Sequence, residues 1–277
     1  MFKTILVHVD RSSHAGGRMR YAAALAHAHG SHLIGAAMLG VARDILALDD
    51  LAAPRAERAA WLAQRTDDAR LELSRFNEIA AKNHVSHEAR LVHDRADNGL
   101  ALLARFADLV VISQDDPTES PEYMATHLPE YVVLNCARPV LVVPRTNPSP
   151  ARSDKVLLAW DGSKEASCAM SAALPMLSRA GAVTVVVLTG AQLDAAGFQA
   201  QQPELLGFLS RHGVGASVLV RDPKQDSGHE LLALADELDC GVLVMGCYGH
   251  GRFQELCLGG ASRTVLADAH IPLLLAH

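Results

Sequence analysis

The stretch TILVHVDRS (Thr4–Ser12) decides the fold, because a close copy of it, KVLLAWDGS (Lys155–Ser163), occurs in the second half of the chain. Each copy is an apolar run that ends in Asp, one further residue and Ser, and each leads into an alanine-rich segment. A run of apolar residues without alternation is typical of a parallel strand that is buried on both faces. Both halves of the chain are therefore predicted to begin with a buried strand, a turn and a helix.

Helix boundaries fit the same pattern in both halves. We expect Ser12 or Ser13 to cap the first helix and Gly30 to end it. In the second half, Ser163 should start the corresponding helix and Gly181 should end it. Pro175 lies within that helix, so a kink or a restart is expected there.

Strands and helices continue to alternate through both halves. Further strands are predicted at residues 31–39, 86–93, 109–114 and 139–144, and at residues 182–190, 215–222, 241–246 and 271–277. Between its second and third strands, only the first half is expected to have room for a long helix, which Pro54 would open. Alternating strands and helices require a parallel sheet covered on both faces.

The proline-rich segment 144–154 is typical of a linker. The sequence thus predicts an α/β protein with two five-stranded copies, residues 1–146 and residues 154–277.

The composition restricts the partners and the location of the protein. Of its 277 residues, 49% are hydrophobic and 20% are charged, and the formal net charge is −6. Nucleic acids are held by clustered Lys and Arg, so they are not expected as partners. The sequence contains no run of about eighteen apolar residues, the length needed to span a membrane. Its first residues carry no cleavable signal pattern. Five cysteines without a CxxC pair are typical of reduced thiols. We therefore expect a cytoplasmic location and no membrane partner.

A glycine-rich segment, GCYGHGRFQELCLGG (Gly246–Gly260), follows the predicted strand at residues 241–246. Ligands of open α/β sheets bind beyond the carboxyl ends of the strands, where helix N-termini offer free amides. Glycine allows the backbone to approach a phosphate closely and to turn its amides inward. The next segment, SRTVLADA, is a predicted helix whose dipole favours negative charge at its start. The segment is therefore predicted to bind a polyphosphate, and a plain surface loop is the alternative.

Two common phosphate-binding motifs do not fit this segment. It lacks GxxxxGK[ST], and it also lacks GxGxxG, which would follow the first strand of a unit rather than the fourth. Instead, the segment resembles the ATP-binding signature of the universal stress protein family. That signature is a glycine, two residues, a glycine, nine residues and a glycine followed by Ser or Thr, and its glycines correspond to Gly246, Gly249 and Gly259. The resemblance covers both halves, so the chain is identified as a tandem member of that family.

The resemblance implies a Rossmann-like α/β/α fold for each copy. It also implies that the last strands of the two copies pair antiparallel, so that one chain forms an intramolecular pseudo-dimer; a further dimer of chains stays open. The implied ligand is ATP, with AMP or ADP as alternatives and with Mg²⁺ carried by ATP.

The same resemblance implies the site residues of the second copy, with a nucleotide-binding loop at residues 246–262. Asp161 would lie near the adenine and ribose, with Met245 and Gly246 beneath the nucleoside. Amides facing the phosphates would come from Gly249, Gly259, Gly260 and Ala261. Gly260 stands where the family has Ser or Thr. Ser262 would either replace that hydroxyl or be a plain helix cap. Arg252 would reach the terminal phosphate more strongly than His250, or else be an ordinary solvated side chain.

The matching segment of the first copy, residues 113–139, contains no glycine. It places four acidic residues where phosphates would lie, and prolines at 117, 121 and 129 remove amide donors. The acidic residues are Asp115, Asp116, Glu119 and Glu122. Such charges repel a triphosphate. The first copy is therefore expected to have lost ATP binding, although it keeps Asp10 at the end of its first strand. The sequence therefore predicts a degenerate first copy and one nucleotide site per chain.

Catalysis and metal binding have little support in the sequence. The chain has fourteen histidines, but no HExxH motif and no Cys/His quartet occurs, so no metal site is expected. No general base or activated nucleophile is evident, so no catalytic residue is assigned, and hydrolysis of ATP should be slow at most. The main hypothesis is a stress-response regulator that binds an adenine nucleotide and an unknown protein partner. An interaction scaffold that does not use nucleotide is the alternative.

Overall fold

The structure is a computed structural model that describes residues 1–40, 55–119, 127–146, 154–190, 195–248 and 260–277. It divides into two compact units. The N-terminal unit is Phe2–Arg138, and the C-terminal unit is Pro139–His277 together with Met1.

The N-terminal unit contains a parallel sheet with the strand order β3-β2-β1-β4. Its strands are β1 (Thr4–Val9), β2 (His32–Met38), β3 (His87–Val92) and β4 (Leu109–Ser113). Its helices are α1 (Ala15–His29), α2 (Arg55–Lys82), α3 (Ala96–Leu103) and α4 (Leu128–Asn135), and a short 3₁₀ turn, Ala104–Phe106, follows α3. The apolar runs of β1 and β4 are buried because helices cover the sheet.

The described residues of the C-terminal unit include six strands in the order β5-β10-β9-β6-β7-β8. They are β5 (Val140–Val143), β6 (Lys155–Ala159), β7 (Ala182–Leu188), β8 (Ala216–Arg221), β9 (Val242–Gly246) and β10 (Leu273–Ala276). Its helices are α5 (Lys164–Leu177), α6 (Ala195–Arg211), α7 (Ser227–Glu237) and α8 (Ala261–Asp268). All neighbouring strands are parallel except β5 and β10.

The antiparallel pair joins the last strands of the two sequence copies. Leu273 of β10 lies opposite Val142 of β5, and Leu275 lies opposite Val140. This pairing confirms the predicted contact between the last strands within one chain. The predicted α/β fold with two copies and a largely parallel sheet is also confirmed.

Several helix boundaries differ from the sequence prediction. The N-cap of α1 is His14, whose side chain makes no capping bond, and the hydroxyl of Ser12 donates to Asp10 Oδ1 at 2.6 Å instead. Ser163 does cap α5, since its Oγ accepts from the amide of Ala166 at 3.1 Å. Helix α5 passes through Pro175 and ends at Leu177, before Gly181.

The expectation that only the first copy has room for a long helix between its second and third strands was wrong. In the second copy, α6 occupies that place and has 17 residues, compared with 28 residues in α2. Pro203 lies within α6 and made this stretch of the sequence a poor helix candidate. In the part of the chain that the structure describes, no helix is both long enough and apolar enough to cross a membrane.

Candidate functional site

The carboxyl ends of β6 and β9 form one edge of the C-terminal sheet. The two strands are parallel neighbours, with Leu158 opposite Val244. Asp161 follows β6 and Gly246 ends β9, so the pairing brings both candidate residues to the same edge. Asp161 is exposed, and its Oδ1 accepts from the amide of Ser163 at 2.9 Å.

Gly246 is fixed by close packing against the start of α5. A Cβ atom at this position would lie 2.4 Å from the backbone nitrogen of Ala166 and 2.4 Å from the carbonyl carbon of Glu165. These are backbone atoms of a buried helix start, so they cannot move aside cheaply. The first glycine of the signature is therefore required by helix packing, whether or not a ligand binds.

Helix α8 begins at the same edge. Gly260 is its N-cap, with φ −61° and ψ 161°, and no side chain caps the helix. The carbonyl of Gly260 accepts from the amide of Arg263 at 2.9 Å. Ser262 is buried, and its Oγ accepts from the amide of Tyr248 at 3.4 Å. Ser262 is therefore not the cap of α8; its hydroxyl connects this helix to the residues that follow β9.

Of the remaining candidate residues, some lie in the part of the chain that the structure describes and others lie outside it. Met245 is buried in β9 opposite Leu275 of β10, and Ala261 is the first residue of α8. Gly249, Arg252 and Gly259 lie outside the described residues, as does His250. The structure thus brings together the two ends of the candidate loop and Asp161, on elements that are themselves well packed.

The corresponding edge of the N-terminal unit contains a buried ion cluster. The Arg18 guanidinium, 1% exposed, lies with Nη2 2.9 Å from Asp10 Oδ1. Its Nε donates to the carbonyl of His8 at 2.8 Å, and its Nη1 donates to Ser113 Oγ at 2.7 Å. His8 Nδ1 is 3.2 Å from Asp10 Oδ2. The sequence reasoning missed Arg18 and His8, although an arginine in an alanine-rich helix was a usable signal.

Burial and the charges of this cluster together shift two pKa values. Burial lowers the pKa of His8 to about 4, so the imidazole is neutral near pH 7. Burial alone would raise the pKa of the Asp10 carboxyl, but Arg18, His8 and Ser12 together hold it well below its usual range. Asp10 is therefore an ionised carboxylate whose counter-ion is supplied by the protein.

The acidic segment of the first copy also contacts α1. Asp116 Oδ2 lies 2.7 Å from His14 Nε2, and Glu119 Oε1 accepts from the amide of Ser13 at 2.7 Å. Hydrogen bonds from His14 and Thr118 lower the pKa of Asp116 to about 2. Two of the four acidic residues of this segment therefore lie against the start of α1. Glu122 lies outside the described residues.

A second cluster that the sequence did not suggest lies at the start of α4. Asp115, His127 and Glu130 place one ligand-type atom each within 4.8 Å of one another. Their own contacts account for this proximity: the amide of His127 donates to Asp115 Oδ2 at 2.9 Å, and His127 Nδ1 lies 3.5 Å from Glu130 Oε1.

Helix α8 is held in place by α7. Gly228 of α7 leaves room for α8, since a Cβ there would lie 2.6 Å from Thr264 Cβ and 2.9 Å from the carbonyl oxygen of Ala261. His229 pairs with Asp226 through Nδ1 and approaches Asp268 of α8 through Nε2 at 3.4 Å. The first turn of α8, at the candidate site, therefore rests on α7.

These features define a tandem parallel α/β protein in which the carboxyl edges of the two copies have different chemistry. A model of the universal stress protein family matches residues 1–144 and residues 152–277. The chain belongs to the universal stress protein family, and it carries the family domain twice.

Two solved structures that match nearly the whole chain support the fold, and a third matches half of the chain. A universal stress protein from Archaeoglobus fulgidus DSM 4304 has a TM-score of 0.76 at 14% identity, and the match covers 99% of this chain and 95% of that one. A putative universal stress protein from Pseudomonas aeruginosa UCBPP-PA14 has a TM-score of 0.61 at 16% identity, covering 99% and 93%. A universal stress protein from Archaeoglobus fulgidus in complex with dAMP has a TM-score of 0.37 at 19% identity, covering 50% and 96%. No curated protein matches the sequence.

Substituting Gly246 tests the packing explanation. We expect Gly246→Ala to lower the free energy of unfolding by about 3 kcal/mol, because the new methyl group would overlap helix backbone. Urea unfolding without nucleotide measures this loss, and Gly215→Ala, in open space, is the control. Equal stability of the two variants would contradict the packing role.

The His229 contact should make stability depend on pH. The hydrogen bond with Asp226, aided by the charges of Asp226 and Asp268, raises the pKa of His229 above its ordinary value of 6.5. The stabilisation is therefore complete below that ordinary value and is lost as the pH rises through the higher pKa of the folded protein. We expect His229→Gln to lower the melting temperature more at pH 5.5 than at pH 8.5, on the order of a few degrees at most for an exposed pair. His212→Gln is the control, and a difference that grows with pH would contradict the prediction.

Proposed function

We propose that the second copy binds an adenine nucleotide, with ATP as the main ligand and AMP or ADP as alternatives. Asp161 would contact the ribose, and Met245 and Gly246 would support the nucleoside. The phosphates would be held by the amides of Gly249, Gly259, Gly260 and Ala261, with Arg252 at the terminal phosphate and Ser262 bracing the start of α8. ATP would bring Mg²⁺ as its counter-ion.

The observation that carries this proposal is the difference between two equivalent aspartates. Asp161 is exposed at the edge formed by β6 and β9, whereas Asp10 is engaged by a buried arginine. An exposed carboxylate next to a glycine-rich segment and a helix N-terminus is suited to a ligand with hydroxyl groups and phosphates. The signature spacing of the glycines and the membership in the family support ATP as that ligand.

The proposed biological role is regulation in the cytoplasm during stress. Binding of nucleotide to residues 246–262 would change a surface that a protein partner recognises. Efficient turnover is not part of the proposal, and hydrolysis of ATP would be slow. Dimerisation of whole chains would be a further level of assembly.

An interaction scaffold without nucleotide is the second candidate, and two observations favour it. Packing against α5 is sufficient to explain Gly246, and Gly260 provides no hydroxyl at the position where the family signature has one. In this case both copies would present fixed surfaces to a partner.

ATP titration separates the two functions. We expect the wild-type protein to bind ATP and Gly259→Val to bind it at least about tenfold more weakly, because a branched side chain would block close approach of the backbone to phosphate. Calorimetry measures affinity. In a Trp61→Phe background, fluorescence of Trp160 reports on the site, since Trp160 directly precedes Asp161.

Gly215→Val is the matched control, because Gly215 has open space around it and directly precedes β8, at the opposite end of the strand from the carboxyl edge. It should bind ATP like the wild type. If millimolar ATP neither raises the melting temperature nor gives heat, the result favours the scaffold over ATP binding. Equal affinity in Gly259→Val and the wild type would show that ATP binds elsewhere.

A further inference from the structure

Three side chains converge beside Asp10 at the edge of the N-terminal sheet. Arg18 comes from α1, His8 from β1 and Ser113 from the last position of β4. Two nitrogens of the Arg18 guanidinium donate hydrogen bonds, Nε to the carbonyl of His8 at 2.8 Å and Nη1 to Ser113 Oγ at 2.7 Å. The third, Nη2, makes an ion-pair contact with Asp10 Oδ1 at 2.9 Å without hydrogen-bond geometry. The guanidinium is therefore a fixed part of this edge and is not a solvated side chain.

The second copy has small residues at every position that builds this cluster. Arg18 and Ala169 each lie eight residues after the aspartate of their copy, and Met19 and Met170 follow them. His8 corresponds to Ala159, and Ser113 corresponds to Gly246 as the last residue of the fourth strand. The aspartate itself and the serine two residues later are the same in both copies. The two edges thus differ in the groups that surround an identical carboxylate.

We infer that Arg18 confines ligand binding to the second copy, because its guanidinium holds Asp10 in the ion pair that replaces a contact with a bound ligand. A carboxylate that binds ribose hydroxyls must be able to accept their hydrogen bonds. In the first copy, Arg18, Ser12 and His8 already occupy the surroundings of both Asp10 oxygens. Arg18 is thus a specificity-determining residue. It blocks the contact with the ribose, whereas the acidic segment of this copy repels the phosphates.

Withdrawal of Arg18 to admit a ligand is strongly disfavoured. The Arg18 side chain is 1% exposed and the Asp10 side chain 16%, so releasing Arg18 would leave Asp10 as a largely buried charge without its counter-ion. Ser13 and His14, at the start of α1, are in turn engaged by Glu119 and Asp116. The first copy is therefore filled from within, in contrast to the exposed Asp161 of the second copy.

An NMR titration of His8 tests the ion cluster without any nucleotide. In Arg18→Met, the positive charge that opposes protonation of His8 is removed, while the Asp10 carboxylate that favours protonation stays beside the imidazole. We expect His8 to titrate at least about one pH unit higher than in the wild type. Arg20→Met, an exposed arginine of the same helix, is the control and should leave the titration unchanged. Equal titration of His8 in the two variants would overturn the inference.

The reverse substitution tests the effect on ligand binding, and this part rests on the proposed function. We expect Ala169→Arg to weaken ATP binding at least about tenfold, although it adds positive charge, because the new guanidinium would pair with Asp161. Ser171→Arg adds the same charge at an exposed position of α5 and should not weaken binding.

The outcomes of the two experiments are distinguishable. If the wild type binds no ATP, the proposed function fails, while the His8 titration still decides whether Arg18 holds Asp10 in the ion pair. If Ala169→Arg is folded by circular dichroism and binds ATP as well as Ser171→Arg does, the inference is overturned. If Ala169→Arg does not fold, the His8 titration alone decides.

Discussion

A carboxylate at the end of the first strand of a parallel sheet must be stabilised either by solvent and ligand or by a counter-ion from the protein. Desolvation of a charge is costly unless it is paired and hydrogen-bonded. In the N-terminal unit, Arg18 supplies the counter-ion and Asp10 is largely buried. In the C-terminal unit, the corresponding helix position is Ala169, and Asp161 remains exposed. The chemistry of each edge follows from this one difference.

The rest of the C-terminal edge is built by packing. Gly246 allows α5 to lie directly against the end of β9, Ser262 connects the residues after β9 to α8, and Gly228 allows α8 to rest on α7. Each contact places a backbone segment that borders the candidate loop. A glycine in a ligand signature can therefore be required by the fold itself, and Gly246 is such a residue. Its presence in the second copy is compatible with nucleotide binding and also with a scaffold.

Much of the fold could be predicted from the sequence, because buried parallel strands are continuous apolar runs that end at turns. The repeat of TILVHVDRS as KVLLAWDGS placed the equivalent strands, and Ser163 was recognised as a helix cap. Helix α6 was missed because Pro203 weakens its local signal, while packing on the sheet stabilises it. The cap of α1 was predicted incorrectly, since the Ser12 hydroxyl pairs with Asp10.

The candidate site could be predicted only in part. Asp161 and Gly246 lie at the same edge because β6 and β9 are neighbours. The alternation of strands and helices in the sequence predicted a parallel sheet with both residues at its carboxyl edge. The contacts of Arg18 could not be inferred, because Ser113 is 95 residues away and the pairing depends on the side-chain geometry of a packed helix. The acidic segment was expected to repel phosphate. Its contacts with the start of α1 could not be predicted, because they join residues about 100 positions apart in the sequence. The phosphate-binding role of Gly249, Arg252 and Gly259 stays a prediction.

We propose that the carboxyl edge of the second copy is open to a ligand and that the edge of the first copy is closed by its own side chains. Native mass spectrometry of the intact protein with an excess of ATP tests it most directly. The account predicts one nucleotide per chain for the wild type. Two nucleotides per chain would contradict the closure of the first copy, and none would contradict the assignment of nucleotide binding to the second.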